Sequence, residues 1–222
     1  MGVGVELFPP KPAKKNLPSW YKELGDYVDG KKQLTDDAQL NQTGKRCMPM
    51  FDAMTFGYLM YTNVDIYVTL DERGETVIAW ASKGAIHSHS NAQLSTYKNR
   101  NPSGPIPKFL SEYGIETPSG YSAYFCPPIN HENNIIIFSG VVDTDQYTNI
   151  VNLPFLIKTG FEGLIPAGTP IAQVVPFKRE SWKLEVNSKK KNVDKAMRVK
   201  ETVSTLFQNG YRHKYWQRKG FD

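Results

Sequence analysis

The feature that most constrains the fold is a series of apolar runs between residues 134 and 177, each separated from the next by turn residues. Residues 135–138 are Ile-Ile-Ile-Phe, an acidic stretch follows at 143–145, and a second apolar run extends from Phe155 to Ile157. A Pro-Ala-Gly turn at 166–168 leads into a third run that begins near Ile171. Short β-branched and aromatic runs between turn residues are typical of β-strands. This segment therefore predicts the centre of a β-sheet.

Regions outside this segment add further strands. Residues 64–70 alternate apolar and polar side chains with a period of two, residues 71–75 supply a turn, and residues 76–80 provide a partner strand. Other strands are expected at 121–125, 134–142, 154–158, 170–177 and 182–186. This spacing is typical of an all-β antiparallel sandwich or barrel. We expect its core to bury Ile135, Ile137, Val142, Phe155, Ile157, Ile171 and Val174.

Composition divides the chain into three regions. Residues 1–45 are expected to form an N-terminal arm, because prolines at 9, 10, 12 and 18 interrupt regular structure there, with one short helix at 19–24. Residues 46–187 carry the β core domain. Residues 188–222 form a basic C-terminal helix and tail, in which a helix over 192–209 is predicted by apolar residues that recur every three or four positions: Ala196, Val199, Val203 and Leu206.

Length, cysteine content and charge limit the class of protein. The 222 residues, 40% of them hydrophobic, are enough for one well-buried core. Cys47 and Cys126 are too few for a disulfide scaffold, and no apolar run is long enough to span a bilayer. We therefore expect a cytoplasmic protein with reduced thiols and no membrane partner. The net charge of +5 is concentrated after residue 177, where 13 Lys and Arg stand against 5 Asp and Glu.

The basic C-terminal tail is a candidate contact surface. Aromatic side chains are interleaved with cations there, a pattern that suits stacking on nucleic-acid bases or contact with a partner protein. A solvated helix face with its lysine ammonium groups in water is the alternative interpretation. The candidate contact residues are Arg212, Lys214, Tyr215, Trp216, Arg218 and Lys219.

His87 and His89 are the candidate metal ligands. Residues two apart on a strand point to the same side, so two imidazoles can reach one divalent ion such as Fe, Mn or Zn. Cupin enzymes begin their metal site with such a pair, and a cupin-like metal-dependent enzyme is an alternative function for this chain. However, Gln93 occupies the spacing of the cupin glutamate, and Ile171 that of the second-motif histidine. We therefore expect no cofactor.

The third candidate site is an acidic motif, Gly140-Val-Val-Asp143-Thr-Asp145-Gln-Tyr147. It is followed by an Ile-Ala-Gln strand at 171–173. This stretch resembles the third motif of the dUTPase and dCTP-deaminase superfamily. The resemblance implies a dUTPase-like barrel as the alternative to a sandwich, and a nucleotide-binding function. It also implies a water-activating role for the matching Asp143, a ligand contact for Asp145 and base stacking for Tyr147.

This chain departs from the superfamily pattern at two places. Pro-Pro-Ile-Asn at 127–130 replaces the Arg-Ser-Ser phosphate clamp, and Gln146 separates Asp145 from Tyr147. A one-residue insertion redirects a side chain, and without the clamp a phosphate lacks donors. We therefore expect a structural Asp turn and no dUTP or dCTP turnover.

Several longer strings in the chain resemble those of one further group of proteins. They are Leu-Pro-Ser-Trp-Tyr-Lys at 17–22, Arg-Cys-Met-Pro-Met-Phe-Asp-Ala-Met-Thr-Phe-Gly-Tyr at 46–58, and Ile-Pro-Ala-Gly-Thr-Pro-Ile-Ala-Gln-Val-Val-Pro-Phe-Lys-Arg-Glu-Ser-Trp at 165–182. The chain resembles an uncharacterised family carried by contractile-tailed phages of marine bacteria and cyanobacteria. The resemblance implies a phage protein in the host cytoplasm or the virion. The leading expectation is a non-enzymatic binding or assembly protein that forms a homo-oligomer or binds another phage protein.

Overall fold

A computed structural model describes residues 8–36, 40–80, 84–89, 106–186, 190–205 and 210–221. The chain divides into two compact units, of which the first, the β unit, comprises Met1–Asn16 and Gly57–Arg179. The second, the helical unit, comprises Leu17–Phe56 and Glu180–Asp222. The expected division into arm, core domain and tail stays a prediction.

The β unit contains twelve strands in its described part, and all of their pairings are antiparallel. The prediction of a mainly β fold is therefore confirmed. The strands are β1 Lys11–Pro12, β2 Tyr58–Tyr61, β3 Ile66–Leu70, β4 Thr76–Trp80, β5 Ile86–His89, β6 Ile106–Gly114, β7 Tyr121–Cys126, β8 Ile135–Ile137, β9 Gly140–Val142, β10 Ile150–Ile157, β11 Gly163–Ile165 and β12 Pro170–Lys178.

These strands form three sheets. The largest has the order β1-β2-β12-β7-β9, the second β5-β6-β10-β8, and the third β11-β3-β4. Side chains alternate along each strand, so every second residue faces the core. In β3, for example, Ile66 and Val68 are buried and Tyr67 is exposed. The sandwich and the dUTPase-like barrel stay predictions.

The core prediction for residues 134–177 is confirmed for five of its seven side chains. Ile135, Ile137, Phe155, Ile171 and Val174 are buried, and the remaining two, Val142 and Ile157, are half-buried and pack against the same cluster. The Phe155 ring stacks on Phe109 with ring centroids 4.2 Å apart. This contact joins two neighbouring strands of the second sheet, β10 and β6.

Two strand predictions need correction. The expected single strand at 134–142 is interrupted at residues 138 and 139, because β8 pairs with β10 in one sheet and β9 pairs with β7 in another. The chain passes from sheet to sheet at this point. The expected strand at 182–186 is wrong: those residues belong to no strand and have no ladder partner in the described part of the chain.

The helical unit contains α1 Ser19–Glu23, α2 Met48–Thr55, α3 Lys190–Thr205 and α4 Gly210–Lys214. The first of these is held by Tyr21, whose buried ring lies under the Lys45 ammonium at 4.6 Å. The same ammonium donates to the Tyr21 carbonyl oxygen at 2.7 Å. Among the helices that the structure describes, none has the length and apolar character needed to cross a membrane.

Candidate functional site

The acidic motif at residues 143–147 forms a tight turn directly after β9. The backbone N–H groups of Gln146 and Tyr147 both donate to the Asp143 carbonyl oxygen, at 3.0 and 2.8 Å. Between Asp143 and Asp145, Thr144 turns inward, is fully buried, and places its hydroxyl 2.7 Å from the Thr117 hydroxyl. The backbone and one buried threonine therefore fix which way the two carboxylates of the turn point.

Asp145 points back toward the ends of β7 and β12. Its side chain is only 3% exposed. The carboxylate accepts a hydrogen bond from the Gly120 backbone N–H at 2.8 Å, and it pairs with both terminal nitrogens of Arg179. The backbone of Arg179 in turn donates to the Gly120 carbonyl oxygen at 2.8 Å, which continues the pairing of β12 with β7. Sheet register therefore brings this arginine to the turn.

Asp143 forms the exposed side of the same cluster. Its carboxylate accepts from the buried Ser122 hydroxyl at 2.7 Å and from Arg179 Nη1 at 3.4 Å, while its side chain is 65% exposed. The same Nη1 also donates to the Ser122 hydroxyl at 3.1 Å. We call this group, Ser122, Asp143, Asp145 and Arg179, the arginine clamp.

The charges of the arginine clamp suit a structural role. Hydrogen bonding to Arg179, and then to the Gly120 N–H, lowers the pKa of Asp145 from 3.8 to about 2. The pKa of Arg179 is raised by the same hydrogen bond. The ionised carboxylate of Asp145 therefore pairs with the guanidinium of Arg179 at neutral pH, and an incoming phosphate would meet a cation that is already paired. The clamp holds the turn against the sheet.

A cleft lies elsewhere in the β unit. Its apolar wall includes Phe109 and Ile171, and its polar groups include Thr62 and Asn63. None of Asp143, Asp145 and Tyr147 lines this cleft.

The structure joins two of the three predicted ligand residues, Asp143 and Asp145, through Arg179. The third, Tyr147, has an exposed ring at the surface.

The predicted metal pair lies on β5. His87 is exposed and is paired in register with Lys108 on β6, whereas His89 is paired with Ile106. A lysine directly opposite an imidazole disfavours a cation at that face. Within the described ranges no group of three metal-binding side chains comes together. Gln93 lies outside the described residues, and Ile171 is buried in the core.

Two of the six predicted contact residues in the basic tail make contacts within the helical unit. The indole N–H of Trp216 donates to Asp52 at 2.8 Å, and the Lys219 ammonium reaches the same carboxylate oxygen at 2.7 Å. Both residues therefore hold the tail against α2. The other four predicted contact residues are exposed: Arg212, Lys214, Tyr215 and Arg218.

The segment 182–186 is the most exposed apolar stretch among the described residues. Its side chains alternate as Trp-Lys-Leu-Glu-Val, and Trp182, Leu184 and Val186 are 87%, 89% and 90% exposed. Between them the Lys183 ammonium lies 3.8 Å from the Glu185 carboxylate. The pattern is that of a half-buried strand, but nothing in the described structure covers its apolar side. We call residues 182–186 the alternating segment.

No protein-family model, curated protein or solved structure matches this chain. The resemblances to the phage family and to the dUTPase superfamily therefore stay predictions. The functional reading depends on the geometry described above.

Sequence reasoning missed Arg179, the residue that organises the predicted acidic motif. It lies 34 residues beyond Asp145, and only the pairing of Lys178 with Tyr121 brings it to the turn. An available signal was the pair of cations, Lys178 and Arg179, that follows the predicted strand at 170–177. A buried carboxylate needs a nearby cation, so each of them was a candidate partner.

Proposed function

We propose that this protein is a non-enzymatic assembly protein that associates with other copies of itself through its C-terminal region. The observation that carries the proposal is the exposure of Trp182, Leu184 and Val186, which recur at every second residue of a segment with a strand-like sequence pattern. Burying a side chain of this kind is worth about 1.5–3 kcal/mol relative to leaving it in water. A contiguous apolar surface that a single chain leaves uncovered marks an interaction site.

The helix that follows supports the same proposal. On α3 the apolar side chains of Val193 and Met197 lie on one face, four residues apart, and both are exposed. Polar residues occupy most of the remaining surface of this helix, in which lysine and arginine outnumber acidic residues. Two consecutive elements of the tail therefore expose apolar stripes beside charged side chains, as partner-binding surfaces do.

The enzymatic alternatives draw less support from the described residues. A cupin-like metal site is disfavoured because His87 is paired in register with Lys108, a cation, on the neighbouring strand. A dUTPase-like nucleotide site is disfavoured because Asp143 and Asp145 are both already paired with Arg179. Metal analysis after chelator dialysis tests the first alternative: stoichiometric iron, manganese or zinc that is lost in His89→Ala would establish it.

The phage resemblance adds an expected setting to the proposal. A phage-encoded assembly protein acts in the host cytoplasm or becomes part of the virion. Self-association through a short exposed segment fits either setting, because many identical copies are made together. This setting is an expectation from the resemblance alone.

Sedimentation velocity over a range of protein concentrations tests the proposed function. We expect the full chain to associate, and the triple variant Trp182→Ser, Leu184→Ser, Val186→Ser to sediment as a monomer. The matched control is Lys183→Ser, Glu185→Ser, which alters the other side of the same segment and should associate like the wild type. A wild-type chain that stays monomeric at all concentrations, with the triple variant unchanged, would overturn the proposal.

A further inference from the structure

In the described part of the β unit, the third sheet ends at β4. In the sheet order β11-β3-β4, β4 is hydrogen-bonded to β3 and to no other described strand. Ile78 and Trp80 on this strand pack against the hydrophobic core but remain half-buried. A strand added at this edge would extend the sheet and cover the remaining surface of both side chains. A sheet edge of this kind is a template for another strand.

The alternating segment matches β4 in length and in pattern. Each has five residues, and in an antiparallel pairing Trp182 lies opposite Trp80 and Leu184 opposite Ile78. The apolar side chains of both strands then point to the core side of the sheet, while Lys183 and Glu185 point outward. Aromatic and aliphatic pairs of this kind stabilise neighbouring strands. A shift by one residue would reverse the two faces, so the apolar pattern selects this register.

Charge favours the antiparallel direction. The turn that precedes β4, at residues 71–75, contains three acidic residues and one basic residue: Asp71, Glu72, Glu75 and Arg73. An antiparallel strand ends beside this turn, and α3 begins with Lys190 four residues after the alternating segment, a reach of about 13 Å in extended chain. The basic start of α3 would then lie near the acidic turn. A parallel strand would carry it to the opposite end of β4.

The other described sheet edges fit less well. β8, β9 and β11 have three residues each, β1 has two and β5 has four. Among these edge strands β4 is the longest, with five residues. Its outer face also suits the charged side of the segment, because Val77 and Ala79 are exposed there and would stand beside Glu185 and Lys183 without burying either charge.

We propose that the alternating segment of one copy adds to the three-stranded sheet of a second copy, as an antiparallel strand on β4. The three apolar side chains of the segment are almost fully exposed in the described structure. Each copy offers one segment and one edge, so a symmetric pair of chains can satisfy both at once. This inference rests on the proposed assembly function and names the surface that carries it.

Disulfide capture between two single-cysteine variants tests the proposed pairing. Val77→Cys and Glu185→Cys are placed in separate chains, each with Cys47→Ser to remove the exposed native thiol, while the buried Cys126 is retained. Both substituted side chains are exposed, so neither change disturbs the core. Mixing the two variants under mild oxidation should give a disulfide-linked dimer. The matched control mixes Glu185→Cys with Ile136→Cys, an exposed position on the edge strand β8, and should give at least fivefold less dimer.

Three outcomes would overturn the inference. Equal dimer yields from the two mixtures would show that β4 is not the docking edge. A double variant, Val77→Cys with Glu185→Cys, that forms its disulfide only within one chain would show that the second copy is not the occupant. Association that depends on Trp182 and Leu184 without any β4 disulfide would remove the proposed pairing while leaving the assembly function in place. Loss of the assembly function itself is read separately, from the sedimentation of the triple variant.

Discussion

At the scale of single residues, the arginine clamp shows how a motif that suggests ligand chemistry can serve the fold. Asp145 is almost completely buried, and its carboxylate is satisfied by Arg179 and a backbone N–H. Asp143 shares the same guanidinium from the exposed side. The buried carboxylate of Asp145 therefore has its hydrogen-bond partners within the fold. The measurable consequence is a dependence of stability on pH.

We expect the clamp to stabilise the folded state only while Asp145 is ionised. The pKa of this carboxyl is about 2 when folded and near 3.8 when unfolded, so the unfolded chain binds the proton more readily. The contribution to the free energy of unfolding is fully present above about pH 4 and is lost as the pH falls toward 2. Urea denaturation from pH 7 to pH 2 should show this loss in the wild type.

Asp145→Asn should be less stable than the wild type at pH 7 and should lose less stability across that acidic window. Glu116→Gln, which alters an exposed carboxylate of the β unit, is the control and should follow the wild-type curve. Parallel curves for wild type and Asp145→Asn between pH 4 and 2 would contradict the role assigned to this pair.

Gly57 gives a second prediction at the same scale. Its φ angle is +76°, and a Cβ atom there would lie 2.1 Å from the Val174 carbonyl oxygen. Gly57→Ala should therefore lower the free energy of unfolding by about 3–5 kcal/mol, from left-handed strain and the clash together. Gly74 has a similar φ of +75° with open space around it, so Gly74→Ala should cost only about 1–2 kcal/mol. Urea titrations of both variants check the difference, and equal losses would refute the steric argument.

At the scale of elements, the stacked pair of Phe109 and Phe155 should dominate the stability of the second sheet. Phe155→Ala leaves a cavity beneath β6 and β10, and it should cost about 3–5 kcal/mol in the free energy of unfolding. Ile136→Ala on the neighbouring β8 removes an exposed side chain and should change the same quantity by less than about 0.5 kcal/mol. Thermal and urea denaturation of the two variants measure this contrast. A small effect of Phe155→Ala would show that the core is centred elsewhere.

The sequence allowed the strands to be predicted where pattern and turn chemistry agree. Residues 76–80 were expected as a strand and form β4 with the same limits, because alternation and the turn at 71–75 point to one answer. The interruption between β8 and β9 could not be predicted, since it depends on which sheet each strand joins. Local propensity carries no information about a partner strand that is distant in sequence.

The same limit explains the candidate site. The acidic motif was visible, but Arg179 reaches it only through the register between β7 and β12. The alternating segment was predicted as a strand from its period of two. The structure gives it no ladder partner within the described chain. Alternation in the sequence indicates that a segment can form a strand, but it does not indicate which strand it pairs with. The failed strand prediction is therefore the observation that leads to the proposed assembly.

At the scale of the whole molecule, we propose that a second copy of the chain covers the alternating segment. Hydrogen exchange of the backbone amides of residues 183–186, measured at low and high protein concentration, tests this claim most directly. We expect these amides to exchange rapidly in the dilute chain and to slow by at least tenfold at high concentration, together with the edge amides of β4. The Trp182→Ser, Leu184→Ser, Val186→Ser variant should show no such change. Rapid exchange of residues 183–186 at every concentration would contradict the account.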